Sequence, residues 1–421
     1  MGAGTLSWEP GAAVQVWNID DLLFDGNTID SGERGLVIYG GIETVGLIRN
    51  NTFSNLSTAS AHDSGGVVIY DHTNPLVSQT VTGTTITSNT FSNNTVDVHV
   101  GMGAADGDVL VTGNTSFSTG GVAVQVDGGA ATVTETISGA ATAVEVLSGS
   151  VLVTGSDLTG SGSGTGVKVS GGSATISNNP TTITGFTTGV DVDGGTALIE
   201  TTNLNGNTVG LLIQNGGVVD AGQKTPGTDF TGLGISTGGN EFSGYTAAAT
   251  ATSGAIVNVN SDAVTGRQGA PNDVFAAGNT FSTSNLADVE SVIWHDIDDS
   301  NVGFVDYASF GDSILNLDVS VINEGDTVQL SGSFTNVAQA HTATIVWGDG
   351  ESNDVINLTS GDFDFVATHT YADDAGVTNT TNYTIDVTVA EDRTAAAIND
   401  STLVTVNNVA PVLGSLAATT I

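Results

Sequence analysis

Residues 187–207 read TTGVDVDGGTALIETTNLNGN. At the centre, Asp191-Val192-Asp193-Gly194 sets two carboxylates one residue apart ahead of a glycine, as many calcium loops begin. The rest of the chain decides how to read it. The same phrase returns as AVQVDGGA at 123–130, AVEVLSGS at 143–150, GVKVSGGS at 166–173 and GLLIQNGG at 210–217. Aligned on the first strand residue, Val124, Val144, Val167, Val190 and Leu211 stand 20, 23, 23 and 21 residues apart. The places of Asp191 and Asp193 are taken in the other copies by Gln125 and Asp127, Glu145 and Leu147, Lys168 and Ser170, and Leu212 and Gln214. A metal site needs converging carboxylates, and these neighbours do not supply them. The stretch reads as a turn in a repeat, with the residue between its two strand valines facing solvent.

A second marker extends the repeat in both directions. GNTI at 26–29, NTFS at 51–54 and 89–92, NTSF at 114–117, NEFS at 240–243 and NTFS at 279–282 read as one corner revisited. Periods of this length, with short strands and no helical periodicity, predict a parallel β-solenoid. Each turn supplies three short strands, stacked ~4.8 Å from their equivalents above and below. About twelve turns make a rod about 55–60 Å long. Alternate side chains point inward, so Val, Ile, Leu, Phe and Ala form columns along the axis. Asn suits the corner because it tolerates left-handed backbone and can ladder with its counterpart one turn on.

Composition narrows the partners. The 421 residues carry only 6 Lys or Arg against 45 Asp or Glu, a formal charge of -39. Such a surface repels nucleic acid and anionic membranes. The 57 glycines and the excess of Thr, Val, Ser and Asn are a β composition rich in tight turns. There is no cysteine, so no disulfide staples the fold. No apolar run is long enough to cross a membrane as a helix, and MGAGTLSWEP lacks the regions of a signal peptide.

The runs GNTI…GLVIY, NNTFSN…GGVVIY and SNTFSNNTVDVHV resemble the parallel β-helix repeats of bacterial surface and polysaccharide-processing proteins, over residues 14 to about 310. A solenoid must cover its end coils. The period breaks at SNLADVESVIWHDIDDSNVGFVDYASF, residues 284–310, where Leu286, Val289 and Ile293 are spaced for a short helix or plug. This stretch resembles the segment that closes β-helix domains in large bacterial surface proteins. Asp296, Asp298 and Asp299 within it are candidate ligands for Ca2+, with a solvated acidic turn as the alternative. No matching cap precedes Trp8, so further coils are expected before it.

Histidines gather near the insertions. Asp97 and His99 are two apart, hence on one face of a strand, and His62, Asp63, Asp71 and His72 lie one coil earlier. Stacked coils would bring them into one groove for acid–base or metal work, which makes them candidate catalytic residues. The alternative is an ordinary exposed strand face.

From about Ile314 the periodicity changes. Seven strand-like runs follow over some 95 residues, which predicts a β-sandwich. ATIVWGDGESN at 343–353, then THTYADDAG and YTIDVTVAED, resemble the PKD-type immunoglobulin-like module of extracellular proteins. Trp347 is expected to plug the space between sheets, and Gly348-Asp349-Gly350 to be a tight turn. The closing NNVAPVLGSLAATTI aligns with GDSILNLDVSVI at a spacing of 99 residues, placing Ile421 on Ile322. A tandem array within a longer exported chain is the expectation.

The expected fold is all-β: a right-handed parallel β-helix over 1–312, an immunoglobulin-like β-sandwich over 313–409, and the start of another module over 410–421. The expected function is a non-catalytic structural or adhesive segment of a bacterial extracellular or cell-surface protein. Its partners would be extracellular polysaccharide or neighbouring surface proteins, without nucleic acid or membrane insertion. The resemblance to β-helix proteins also implies an alternative, a polysaccharide lyase or glycoside hydrolase. Against it, Arg34, Arg49, Lys168, Lys224 and Arg267 are scattered, and the GHG and RIK motifs of polygalacturonase-like hydrolases are missing.

Overall fold

A computed structural model of the chain describes residues 11–57, 65–70, 83–101, 109–177, 181–223, 229–261, 273–308, 313–337, 339–372, 380–392 and 397–409. The chain forms two compact units, 1–263 with 270–308, and 264–269 with 309–421. No helix among the described residues is long and apolar enough to cross a membrane.

The first unit is a long parallel sheet system of the kind a solenoid requires. Val124 pairs with Val144, Val144 with Val167, Val167 with Val190 and Val190 with Leu211, the register read from the repeat. This lane runs from the strand at Ala12–Asp25 through Arg34–Arg49, Gly65–Tyr70, Val96–Gly101 and Val122–Thr134, and on to Ile293–Trp294. It holds eleven rungs among the described residues, against the twelve turns expected. A second parallel lane follows each first-lane strand, as in Thr84–Thr87, Val109–Thr112, Ser173–Ser177 and Thr196–Ile199. A third lane is made of shorter strands such as Thr52–Leu56, Thr90–Ser92, Thr136–Ser138 and Thr181–Thr184.

The turn between the first two lanes explains the recurring glycine pairs. Gly149 and Gly172 have φ of 75° and 61°. A Cβ on Gly172 would lie 2.3 Å from the Gly149 carbonyl oxygen, so backbone stacked at the rung spacing leaves room for glycine alone. Inside, Val98, Val124, Val144, Val167, Val190 and Leu211 are fully buried. The third lane contributes an aromatic column, in which the Phe53, Phe91 and Phe117 rings stack at centroid distances of 5.4 and 5.6 Å.

The corner before the third lane is a hydrogen-bonded ladder. Asn51 Oδ1 accepts from the Asn27 amide and Nδ2, Asn89 Oδ1 from those of Asn51, and Asn114 Oδ1 from those of Asn89. The 38-residue step from Asn51 to Asn89 is a single rung, as Thr52 pairing with Thr90 shows. Farther along, Asn240 Oδ1 accepts from Thr202 and Asn279 Oδ1 from Asn240. The buried amides Asn51, Asn89, Asn114 and Asn240 thus pair with their column neighbours and the turning backbone.

One expectation needs correction. The residue between the strand valines does not simply face solvent: Gln125 is 5% and Asp191 8% exposed. Neighbouring rungs cover them: Gln125 Nε2 donates to Glu145 in its own column, and Asp191 accepts from Gln214 Nε2 of the adjacent outward column. Stacking at the rung spacing buries flat polar side chains against their equivalents.

The second unit has two sheets around one core. Ile314–Leu317, Thr327–Ser333 and Asp364–Thr370 form a three-stranded antiparallel sheet. The other runs Val321–Asn323, Ala397–Asn407, Thr380–Glu391, His341–Val346 and Asp354–Leu358 in spatial order. Its first pairing is parallel and the rest antiparallel. Val328, Leu330 and Phe365 of one sheet share a buried cluster with Ala343, Ile345, Val387 and Trp347 of the other. The first sequence run, ILNLDVSV, is thus split between the two sheets.

Candidate functional site

The solenoid offers outer faces and buried polar positions, and they differ in chemistry. On the second lane, alternation turns Thr85, Leu110, Thr132, Leu152 and Thr175 outward, because their strand neighbours Ile86, Val109, Val111, Ala131, Val133, Val151, Val153 and Ala174 are the buried ones. Register stacks these outward residues into one column, with Leu47 before Thr85 and Leu198 after Thr175. Leucine and threonine therefore alternate from Leu47 to Leu198, the last of them only 4% exposed, and the column continues to Leu23 at one end and Asp220 at the other. Two residues on, a second outward column holds Thr87, Thr112, Thr134, Thr154 and Ser177. From Thr85 to Ser177 neither column contains an ionisable group, although the chain carries a charge of -39.

Asp97 and His99 do not share a face. The places matching Asp97 in neighbouring rungs hold Gly35, Gly66, Ala123 and Ala143. A Cβ on Gly35 or Gly66 meets the Phe53 or Phe91 ring, so this position faces the interior corner. Asp97 is fully buried there. Its carboxylate accepts from Asn94 Nδ2 at 2.9 Å, the Ser118 amide at 2.6 Å and Ser118 Oγ at 2.5 Å. Burial pushes the carboxyl up to about 6, with the Ser118 and Asn94 hydrogen bonds opposing. His99 is 1% exposed and in register with Val68 and Gln125. His62, Asp63, Asp71 and His72 lie outside the described residues.

Glu135 was not foreseen. It stands where the asparagine ladder would place its next amide and is 4% exposed. Asn114 donates its backbone amide to Glu135 Oε1 at 3.1 Å and its Nδ2 to the same oxygen at 2.6 Å, while the Glu135 amide donates to Ser156 Oγ. Burial raises this carboxyl to about 7 against those donors. Its position 21 residues after Asn114 was a legible signal, had the corner column been extended through non-asparagine residues.

At the C-terminal end of the unit, Leu286–Glu290 forms the short helix, capped by Asn285, whose Oδ1 accepts from the Ala287 and Asp288 amides. Its last residue reaches His295, whose Nε2 lies 2.8 Å from Glu290 Oε1. On the other side His295 Nδ1 lies 3.1 Å from Asp296 Oδ1 and 3.2 Å from the Val305 amide nitrogen. Burial works against the imidazolium, yet Asp296 and Glu290 outweigh it and raise His295 to about 9. One imidazolium thus faces both carboxylates inside a segment that has no Lys or Arg.

The three aspartates proposed for calcium are not brought together. Asp296 faces His295, Asp298 Oδ2 accepts from the His295 amide, and Asp299 Oδ1 accepts from the Asn301 amide and Nδ2. Among the described residues no group of three or more His, Asp or Glu is placed to hold a metal ion. Among the described residues the basic side chains do not converge either, with Arg34 and Arg49 at opposite ends of one strand. Arg49 pairs with Asp25 at 2.9 Å and Lys168 lies 3.8 Å from Asp193, while Lys224 and Arg267 lie outside the described residues.

In the second unit the residues of the WGDG and His-x-Tyr runs meet. The His369 ring stacks on Trp347 at 4.8 Å and its Nε2 lies 2.6 Å from Asp349 Oδ2. Tyr371 donates to the Trp347 carbonyl and stacks on Tyr383. Gly348 has φ of 85°, and a Cβ there would lie 2.4 Å from the Thr384 carbonyl oxygen. Trp347 is 1% exposed and donates Nε1 to Asp354. This constellation orients a turn and fills a core. A second buried group, Asn336, His341 and Glu391, is tied by Asn336 Nδ2 at 3.1 Å from His341 Nε2 and 2.6 Å from Glu391 Oε1.

No protein-family model, no curated protein and no solved structure matches the chain.

Proposed function

We propose that the chain is a non-catalytic structural and adhesive segment of a bacterial extracellular or cell-surface protein. In this reading residues 1–312 are a right-handed parallel β-helix closed by the segment near 284–310. Residues 313–409 are a PKD-type immunoglobulin-like sandwich, and 410–421 begin another. The observation that carries the reading is the unbroken rung-to-rung register, which makes a long surface of repeated side chains. The two-sheet core around Trp347, with a first strand split between sheets, supports the immunoglobulin-like assignment.

Asp97, Glu135, His295 and His369 are engaged by corner, ladder, cap or turn partners, which favours display over turnover. The partner is an extracellular polysaccharide or a neighbouring surface protein. The test is a panel of neutral and anionic polysaccharides, assayed for binding and for reducing-end or unsaturated product. Binding without product is expected. Product release, lost on Asp97→Ala or His99→Ala in a chain that still folds, would instead establish the lyase or hydrolase reading.

A further inference from the structure

We infer that the outer face of the second lane is a binding site for a neutral, extended β-linked polysaccharide whose chain lies along the rod axis. The inference rests on the adhesive reading above and adds the ligand class and the residues.

Three features of the face support it. The first is charge. On a chain of -39, the outward columns between Thr85 and Ser177 contain no acid or base. An anionic polymer would be repelled by the surroundings and meet no cation within these columns, since Arg49, one rung before Thr87, is paired with Asp25, whereas a neutral one meets no desolvated charge. The second is periodicity. A globular partner offers no translational repeat to match a face that repeats along one axis, but a polymer does.

The third feature is the alternation itself. Leu110 and Leu152 stand between Thr85, Thr132 and Thr175, so the chemical repeat is two rungs, ~9.6 Å at the usual strand spacing. In an extended β-1,4-linked glycan each sugar is flipped relative to the one before. Each sugar presents a flat C–H face with its hydroxyls at the ring edges, and successive sugars present opposite faces, so the repeat along one side is the disaccharide. The leucines would pack on the C–H face of every second sugar, and the threonine hydroxyls would reach the edge hydroxyls of the sugars between. The outer hydroxyl column, ending on Thr154 and Ser177, lies ~6.6 Å to the side, which suits the width of one chain rather than a sheet of them. An α-linked glycan that coils does not keep this repeat.

The test uses the full chain and three immobilised polymers: a neutral β-1,4-linked glucan, a neutral α-1,4-linked glucan and polygalacturonate. Each is run with and without calcium. The β-linked neutral polymer is expected to bind best. The double variant Leu110→Thr and Leu152→Thr removes the alternation while keeping strand-forming side chains, and is expected to weaken that binding at least tenfold with an unchanged melting curve. Thr136→Ala, on the third-lane face, is the control and should bind as the parent does. Equal binding by the double variant, or preference for the α-linked polymer, overturns the inference. Binding to polygalacturonate alone, unaffected by the double variant, also overturns it while leaving the adhesive reading intact. If the double variant does not fold, Thr132→Lys on the same column, assayed against the same three polymers, decides the matter.

Discussion

The two units enclose apolar cores from strands of similar composition, yet they do so at different ranges along the chain. In the first, a side chain packs on its counterpart one rung away, 20 to 31 residues along or 37 to 55 across the longer insertions. In the second, Val321 pairs with Thr405 and Ser313 Oγ donates to Asp400 across 87 residues. A rod built rung on rung gains stability in nearly independent increments. A two-sheet core is completed only when its ends have met, so one buried ring affects all of it. The difference teaches where damage should spread.

The largest expected effect comes from Trp347→Ala. Truncating this buried indole should cost about 3–5 kcal/mol in the second unit. Calorimetry should show its transition lowered and that of the solenoid unmoved. Both transitions falling together would break the comparison.

Asn89→Ala should cost less, about 2–3 kcal/mol, and locally. It strips the acceptor from the Asn51 amide and Nδ2 and the donor from the Ile48 carbonyl. Amide exchange should rise in the adjoining rungs and stay unchanged beyond Val124. Uniform loss of protection would show that the rod unfolds as one body.

Glu135 sharpens the comparison through pH. Its carboxyl is raised by burial from 4.5 to about 7 in the folded chain, so between those values the folded state holds a proton that the unfolded state has lost. Stability of the solenoid should therefore fall as pH rises from about 4.5 to about 7, then level off. The effect is on the order of 1–2 kcal/mol once solvent screening is allowed for. Glu135→Gln should flatten this window, as melting temperatures between pH 4 and 8 would show. Asp97, raised to about 6, acts in the same direction and remains in the variant. His295 has the opposite charge but the same sign of effect. Its pKa is raised from 6.5 to about 9, so its contribution is complete below 6.5 and disappears as pH climbs through 9. In Glu290→Gln that alkaline loss should move to lower pH.

The smallest expected effect is that of calcium. With Asp296 and Asp298 turned to His295 and Asp299 to Asn301, a chelator should leave the solenoid transition where it was. A chelator-dependent fall would restore the metal reading, because a ligand of the folded state must raise its stability.

Much of the fold was legible because a solenoid writes its register into the sequence as a period. The spacing of Val124, Val144, Val167, Val190 and Leu211 aligned the strands, and the recurring Asn-Thr-Phe runs marked the corner that became the ladder. The site was less legible. Strand alternation predicted a shared face for Asp97 and His99, but alternation holds only while the strand is straight, and Asp97 lies at the bend. Three nearby aspartates read as one cluster, yet in the folded turn Asp296 and Asp298 face the ring and amide of His295 while Asp299 accepts from Asn301. The alternation of Leu110 with Thr85 and Thr132 was unreadable in any single run, since VLVT, TTIT and ATVT each look ordinary. The sequence by itself determined the period, the inward columns and the corner residues, because those follow from side-chain geometry within one turn. Only the tertiary structure decided which way the corner groups face and which outward residues become neighbours, because both depend on bends and on partners a full turn away.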